Sequence, residues 1–389
     1  MTKTAHDNRW TGHSAPTAPP VQSRSERPRS FNVLDFPRVR GDEPDWKYTP
    51  VGKLQDLLTG PLEDARLQIE SSGTAESELF WVDRSDPVIG GAGTPEDRAS
   101  ANAWSHFGRA LHLSYAGAAG DVTTVGRHSV SSEPTAAHTI IDVAPGSRGT
   151  IVIRSGGLAR LTENLEIIVG DGADVTILAL QQWSDESVHL ASHFVKVGAD
   201  AHLTHIVISL GGELVRVNPT IHLEKSGAST DALGLYFPGA GQHFEQQVYV
   251  HHDAPRSRSR VNYKGALQGD GARGVWIGDV LIGARGTGTD TYEQNRNLLL
   301  TDGTRADSVP NLEIAAGDIV GAGHASATGR FDDEQLFYLK ARGIPELEAR
   351  RLVALGFLVE IIQKVPVPTL AEELIADVQR RVTASSLSD

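Results

Sequence analysis

A chain of 389 residues with net charge −13 at pH 7 is long enough for more than one folding unit. Its acidity argues against a nucleic-acid surface, which needs a basic footprint. With no cysteine and Met1 as its one methionine, it can supply neither disulfides nor thiolate ligands.

In chain order, residues 1–30 are rich in Ser, Pro, Thr and Arg without an apolar period, and are expected to be a disordered leader. They lack the apolar core of a signal peptide, and no apolar run in the chain reaches the length of a membrane span, so a cytoplasmic protein is expected. Residues 31–119 read as a small helical or mixed lobe. Within it, Asp45-Trp46-Lys47-Tyr48-Thr49-Pro50 is an aromatic anchor ahead of a short helix. Residues 95–117 suit a helix or strands.

From about Gly120 to residue 330 the pattern is β. Short β-branched runs such as Thr150-Ile151-Val152-Ile153 and His205-Ile206-Val207-Ile208 lie between turn residues. Gly172-Ala173-Asp174, Gly198-Ala199-Asp200 and Gly227-Ala228-Ser229 recur at spacings of 26 and 29. A repeat of this length built from strands and glycine turns fits a stacked β-solenoid. The periodicity also admits a β-sandwich or jelly roll.

Residues 331–389 read as a helical domain. Asp332 with Gln335 predicts a capping box, Gly343 a C′ position, and Pro345 the first turn of a second helix through Leu352, Leu355 and Leu358. Thr369 with Glu372 predicts the cap of a third helix.

No phosphate loop of the G-x-x-x-x-G-K-[ST] form and no G-x-S-x-G elbow is present. Several histidines invite a metal reading. On strands, adjacent His251 and His252 point to opposite faces, as do His202 and His205; His189 and His193 share a face but stand roughly 13 Å apart. Packing or surface roles suit all of them. His324 sits among Gly321, Gly323 and Gly329, which predicts a loose turn. Residue chemistry alone makes it an ordinary loop histidine, although neutral imidazole is a good iron ligand.

Several segments, taken in order, resemble the SufB/SufD family of iron–sulfur cluster assembly scaffolds. They are the Trp46-Lys47-Tyr48-Thr49 segment, His251 to Ser259 (H-x-A-P-x-S-x-S), Gly278-Asp279-Val280, Gln294 to Leu300, Asn311-Leu312-Glu313-Ile314, the His324 segment, and Phe337-Tyr338-Leu339 with Arg342-Gly343. The chain is short and cysteine-free, like a SufD-like member. The family's C-S-H-G turn falls on Ala322-Gly323-His324-Ala325, so the cysteine is replaced and the histidine kept.

The resemblance implies a mainly β fold: a right-handed parallel β-helix with an N-terminal helical or mixed lobe and a C-terminal helical domain. It implies a non-catalytic scaffold that pairs with a SufB-like subunit and binds a SufC-like ABC ATPase through Phe337, Tyr338, Leu339 and Arg342. His324 becomes a candidate transient ligand for iron or a nascent cluster at the pair's interface, with no cofactor stably bound by the isolated chain. The competing readings are a secreted-type carbohydrate-active β-helix enzyme and a cupin-like mononuclear metalloprotein.

Overall fold

The computed structural model describes residues 27–384. The predicted leader lies outside the described residues except for its last four; of these, Arg29 pairs with the buried Glu96 at 3.0 Å.

The lobe that follows buries Trp46, Leu54, Leu57, Leu58, Trp104 and Phe107 together. Its helices are α1 (Gln55–Thr59) and α2 (Arg98–His106). Asp97 and Ser100 close a capping box at the start of α2. Strands β1 (Glu63–Asp64), β2 (Gln68–Gly73), β3 (Ser77–Asp83) and β4 (Arg109–Tyr115) complete the lobe. Residues 95–117 thus hold one helix and one strand.

Two long strands come next, β5 (Val122–Val143) and β6 (Arg148–Val169), and then a series of short ones. These are β7 (Asp174–Trp183), β8 (Val188–Val197), β9 (His202–Gly211), β10 (Leu214–Leu223), β11 (Ser229–Tyr236) and β12 (His243–His252). The series ends with β13 (Arg258–Leu267), β14 (Arg273–Ile282), β15 (Asp290–Leu299), β16 (Arg305–Ile314) and β17 (Gly321–Gly329). From β6 onward each strand pairs in parallel with the strand two places later. Even and odd strands therefore form two parallel ladders, and each consecutive pair makes one coil. This is a β-solenoid, and its parallel pairing excludes the sandwich and jelly-roll alternatives.

The layers explain the sequence pattern. Side chains such as Ile177, Val207, Val217 and Val250 point between the ladders into one shared core. The outer face of the even ladder, with Leu190, Phe194 and Leu214, packs on the N-terminal lobe. The outer face of the odd ladder, with Leu178, Ile206 and Leu235, packs on C-terminal helices. Strands covered on both faces read as continuous apolar runs instead of alternating ones.

The repeat is real, but the middle one of its three predicted turns is displaced by two residues. Cα partners Arg148, Asp174, His202, Ser229, Arg258, Asp290 and Gly321 stack in successive coils. One corner places Gly172, Asp200, Gly227, Arg256 and Gly288 at positive φ. Asp200, and not Gly198, is therefore the equivalent of Gly172. Gly172-Ala173 and Gly227-Ala228 share one corner position, but Gly198-Ala199 does not, because Asp200 adopts the left-handed conformation that Gly usually fills.

After β17 come α3 (Asp333–Ala341), α4 (Glu346–Ile362) and α5 (Pro368–Ala384). Gly343 ends α3 as predicted: its N–H donates to Lys340 O, that of Ile344 to Leu339 O, and φ is +86°, a Schellman motif. The Asp332 side chain caps α3 by accepting from Glu334 N; no reciprocal bond from Gln335 is made, so the box is half formed. Pro345 is the N-cap of α4, one position earlier than predicted. Thr369 lies inside α5 instead of capping it, because Pro368 starts the helix. Leu358, Ile361, Leu374 and Val378 bury α4 and α5 against the odd ladder.

The two ends of the solenoid differ. Leu67, Ile69 and Leu79 close the first end against the inner core. At the other end, no strand among the described residues pairs with the far edges of β16 and β17. Neither strand has a buried residue, and Ile314 and Val320 are exposed.

Candidate functional site

The open end holds the segment in which the sequence concentrates its most specific signals. His324 is not in a turn. It lies on β17, because Gly321 to Gly329 continue the hydrogen-bonded ladder of β15. Ladder pairing outweighs the weak strand preference of glycine, and Gly323 leaves room for the Tyr292 ring, which a Cβ there would meet at 3.3 Å.

Register fixes where His324 points. Its Cα partner on the preceding coil is Glu293, and the column continues back through Val261, Ala232 and His205. Val261 and Ala232 belong to the inner core, so His324 faces the bore of the solenoid. It is about half exposed because no further coil covers it: its side chain is 45% accessible, against 0% for Glu293. Ala322, two residues earlier, packs against the same inner core. Alternation puts it on the same face as His324.

Glu293 is a residue that sequence reading missed. Its Oε1 lies 3.7 Å from His324 Nδ1. Neither carboxyl oxygen has a hydrogen-bond partner of ordinary geometry. Burial, and then the charge of nearby Asp279, push this carboxyl up to about 8, and the Asn311 backbone offsets this least of the three effects. Asn311 also donates from Nδ2 to Asp279 Oδ1 at 2.8 Å. Two residues of the sequence motifs, Asp279 and Asn311, thus hold each other beside Glu293. A signal for Glu293 existed only in the 31-residue step to His324, which becomes visible once the coil register is known.

His189, His193 and His205 are buried and held by packing and by neighbouring side chains. His189 Nε2 meets Glu163 Oε1 at 2.8 Å, and Glu163 accepts a two-pronged bond from Arg127. Burial alone would raise the Glu163 carboxyl, but Arg127 and His189 hold it well below the carboxylate range. His193 and His205 touch inside the bore at 3.2 Å. Burial lowers both, His205 to about 4. Among the described residues no group of three or more His, Asp and Glu converges as a ready metal cage. A groove of about 750 Å³ lies elsewhere, beside Arg127 and Arg154. Those guanidinium groups are already paired with Glu163 and Glu373.

A second surface is α3. Phe337 and Tyr338 are 73% and 56% exposed, and Arg342 stacks 4.7 Å over the Tyr338 ring. Leu339 is half-buried, while Leu336 turns inward. Two large aromatics on a helix otherwise anchored to the body form an unpartnered apolar face.

Comparison with known proteins decides the family. Residues 126–357 match the family model described as the SufBD core domain of SUF-system FeS cluster assembly. The chain belongs to the SufBD family of iron–sulfur cluster assembly proteins. It is 41% identical over 384 residues to a SufBD family protein of Mycobacterium bovis, covering 93% of this chain and 94% of that one. A SufBD family protein of Mycobacterium leprae is 43% identical over 374 residues, 91% and 93% of the two chains. Similarity to the iron–sulfur cluster assembly protein SufD of Escherichia coli is more distant: 26% over 250 residues, 62% of this chain and 58% of that one. The matched span takes in the segments at the open end and α3. Among the described residues, no helix of this SufBD protein is long and apolar enough to cross a membrane.

Proposed function

We propose that this chain is a SufD-like, non-catalytic scaffold subunit that helps assemble iron–sulfur clusters in the cytoplasm. It pairs through the open end of its solenoid with a SufB-like subunit and binds a SufC-like ABC ATPase through Phe337, Tyr338, Leu339 and Arg342. His324 is a transient ligand for the incoming iron or nascent cluster, and no cluster stays on the isolated chain.

One observation carries this reading: His324 faces the uncapped mouth of a solenoid whose chain has no cysteine. A solenoid end that is not capped exposes two unpaired edges and an inner core, and a second solenoid would cover both. Ala322 has no sulfur to offer, so thiolates must come from the partner, while the imidazole supplies a borderline nitrogen donor. The exposed Phe337 and Tyr338 suit the ATPase, because large aromatics dominate interface energetics. ATP-driven pairing of two ATPase subunits would then bias the geometry of the scaffold pair, which is what coupling between distant sites requires.

The test is iron and acid-labile sulfide content in an anaerobically purified complex with SufB-like and SufC-like partners, native against His324→Ala. The expected result is a drop in both at unchanged subunit ratios. Equal content would move the chemistry to residues of the partner, and loss of the complex would make His324 a structural residue.

A further inference from the structure

We propose that Glu293 and His324 together form a two-donor site for a divalent transition metal, iron(II) in function. The carboxylate is the inner ligand and the imidazole the outer one at the mouth of the bore. This rests on the reading of His324 as an iron ligand and adds to it a residue and a geometry.

The first argument is satisfaction. Four other glutamates are buried among the described residues, and each is paired. Glu96 meets Arg29. Glu163 is held by Arg127 and His189. Glu166 accepts from the Gly90 and Ala92 backbones and from His138. Glu245 has Arg216, Thr49, His243 and Gln247. Glu293 is fully buried, and neither oxygen has a hydrogen-bond partner of ordinary geometry, the Asn311 backbone being a weak neighbour only. Such a group costs stability unless something satisfies it, and a fold that pairs its other buried glutamates leaves this one for a ligand.

The second argument is geometry. Glu293 Oε1 and His324 Nδ1 are 3.7 Å apart. That is too long for a hydrogen bond, but two donors each bonded at about 2.1 Å can lie up to about 4.2 Å apart around one ion. Gly278 leaves room for the Trp276 ring and the carboxylate together: a Cβ there would come within 2.2 Å of the ring and 2.5 Å of Glu293 Oε2. Paired strands fix both Cα positions, so the donors are preorganised by the ladder.

The third argument is donor chemistry. One imidazole and one carboxylate are part of the nitrogen–oxygen set that non-haem iron(II) accepts, with remaining positions open. Those positions face the mouth, where the half-exposed His324 admits metal from solvent or from a subunit seated on the open end. The site is therefore a loading point that hands iron on, and not a resident metal centre.

The experiment uses the full-length chain, without oxygen, titrated with iron(II) alone and with cobalt(II) as a visible-absorption probe. Wild type should bind one equivalent saturably. Glu293→Gln, which keeps the volume, and His324→Ala should each weaken binding at least about tenfold. The double variant should lose little more. Thermal unfolding is read in parallel, and Glu293→Gln should melt at or above wild type, since it removes an unsatisfied carboxyl. Glu293→Asp retracts the carboxylate along the same path and should also bind more weakly, which covers any misfolding of the amide variant. Wild-type affinity in both Glu293 variants, with His324→Ala weakened, would overturn the inference and leave the His324 reading intact. Wild-type affinity in His324→Ala, or no saturable binding by the native chain, would also overturn it. In those cases cluster yield in the complex judges His324 separately.

Discussion

The guanidinium of Arg216 lies 3.9 Å from the ring of Trp46. That contact joins the even ladder to the N-terminal lobe. The same guanidinium pairs with Asp97 at 2.9 Å and Glu245 at 3.1 Å and donates to Asp45 O. Thr49 donates to Glu245 at 2.8 Å. The Trp46-to-Thr49 segment is thus a clamp over a buried charge cluster.

Arg216→Ala should destabilise the protein by about 3–5 kcal/mol, because it strands Asp97 and Glu245 as buried charges. Trp46→Ala should cost about 3–5 kcal/mol through lost burial of the ring. Denaturant midpoints would check both. A change below about 1 kcal/mol for Arg216→Ala would show that the cluster is not held by that residue.

Acid should loosen this clamp. Burial alone would raise the Glu245 carboxyl, but His243 and Arg216 bring it down to about 2, against an ordinary value of 4.5. A group depressed in the folded state stabilises it above the unfolded value, and that stability fades as pH falls from about 4.5 toward about 2. Unfolding midpoints measured across that window should fall more steeply for wild type than for Glu245→Gln. Parallel curves would reject the assignment.

The corner stack makes a sharper claim. Gly227 has φ +74°, and a Cβ there would meet Asp200 Oδ1 at 2.0 Å. Gly227→Ala should cost about 1–2 kcal/mol from backbone strain, and more if Asp200 cannot move. Gly321→Ala, with open space around it, should stay within about 0.5 kcal/mol. Similar midpoints for the two variants would contradict the difference.

Phe337→Ser combined with Tyr338→Ser should leave the melting temperature unchanged, since both rings are exposed. The pair should abolish co-purification with a SufC-like ATPase. Leu358→Ala, at a fully buried position on α4, should instead cost about 2–5 kcal/mol. An ATPase that still co-purifies with the double variant would place its site elsewhere.

Local signals carried much of this far. Gly343 and the start of α4 were legible because end chemistry depends on a few adjacent residues. The solenoid showed in the near-constant spacing of its turns. Its register did not, because Asp200 and Arg256 adopt the conformation that glycine marks elsewhere. That slip also concealed the approach of Glu293 to His324, a meeting of residues one coil apart. The glycines around His324 suggested a turn because strand propensity ignores a waiting partner edge, and β15 supplied one. Arg216 gave no signal at all: its partners lie 119 and 29 residues away.

The unfinished end has a thermodynamic consequence. In the free chain β16 and β17 each have one ladder neighbour where inner strands have two, so their amides should exchange with solvent first. Anything that sits on that edge adds its binding free energy to theirs, in proportion to the logarithm of its concentration. Where a partner covers that edge, the order of the His324 strand becomes a property of two molecules. On dilution, the mouth of the bore should fray well before the body of the protein unfolds.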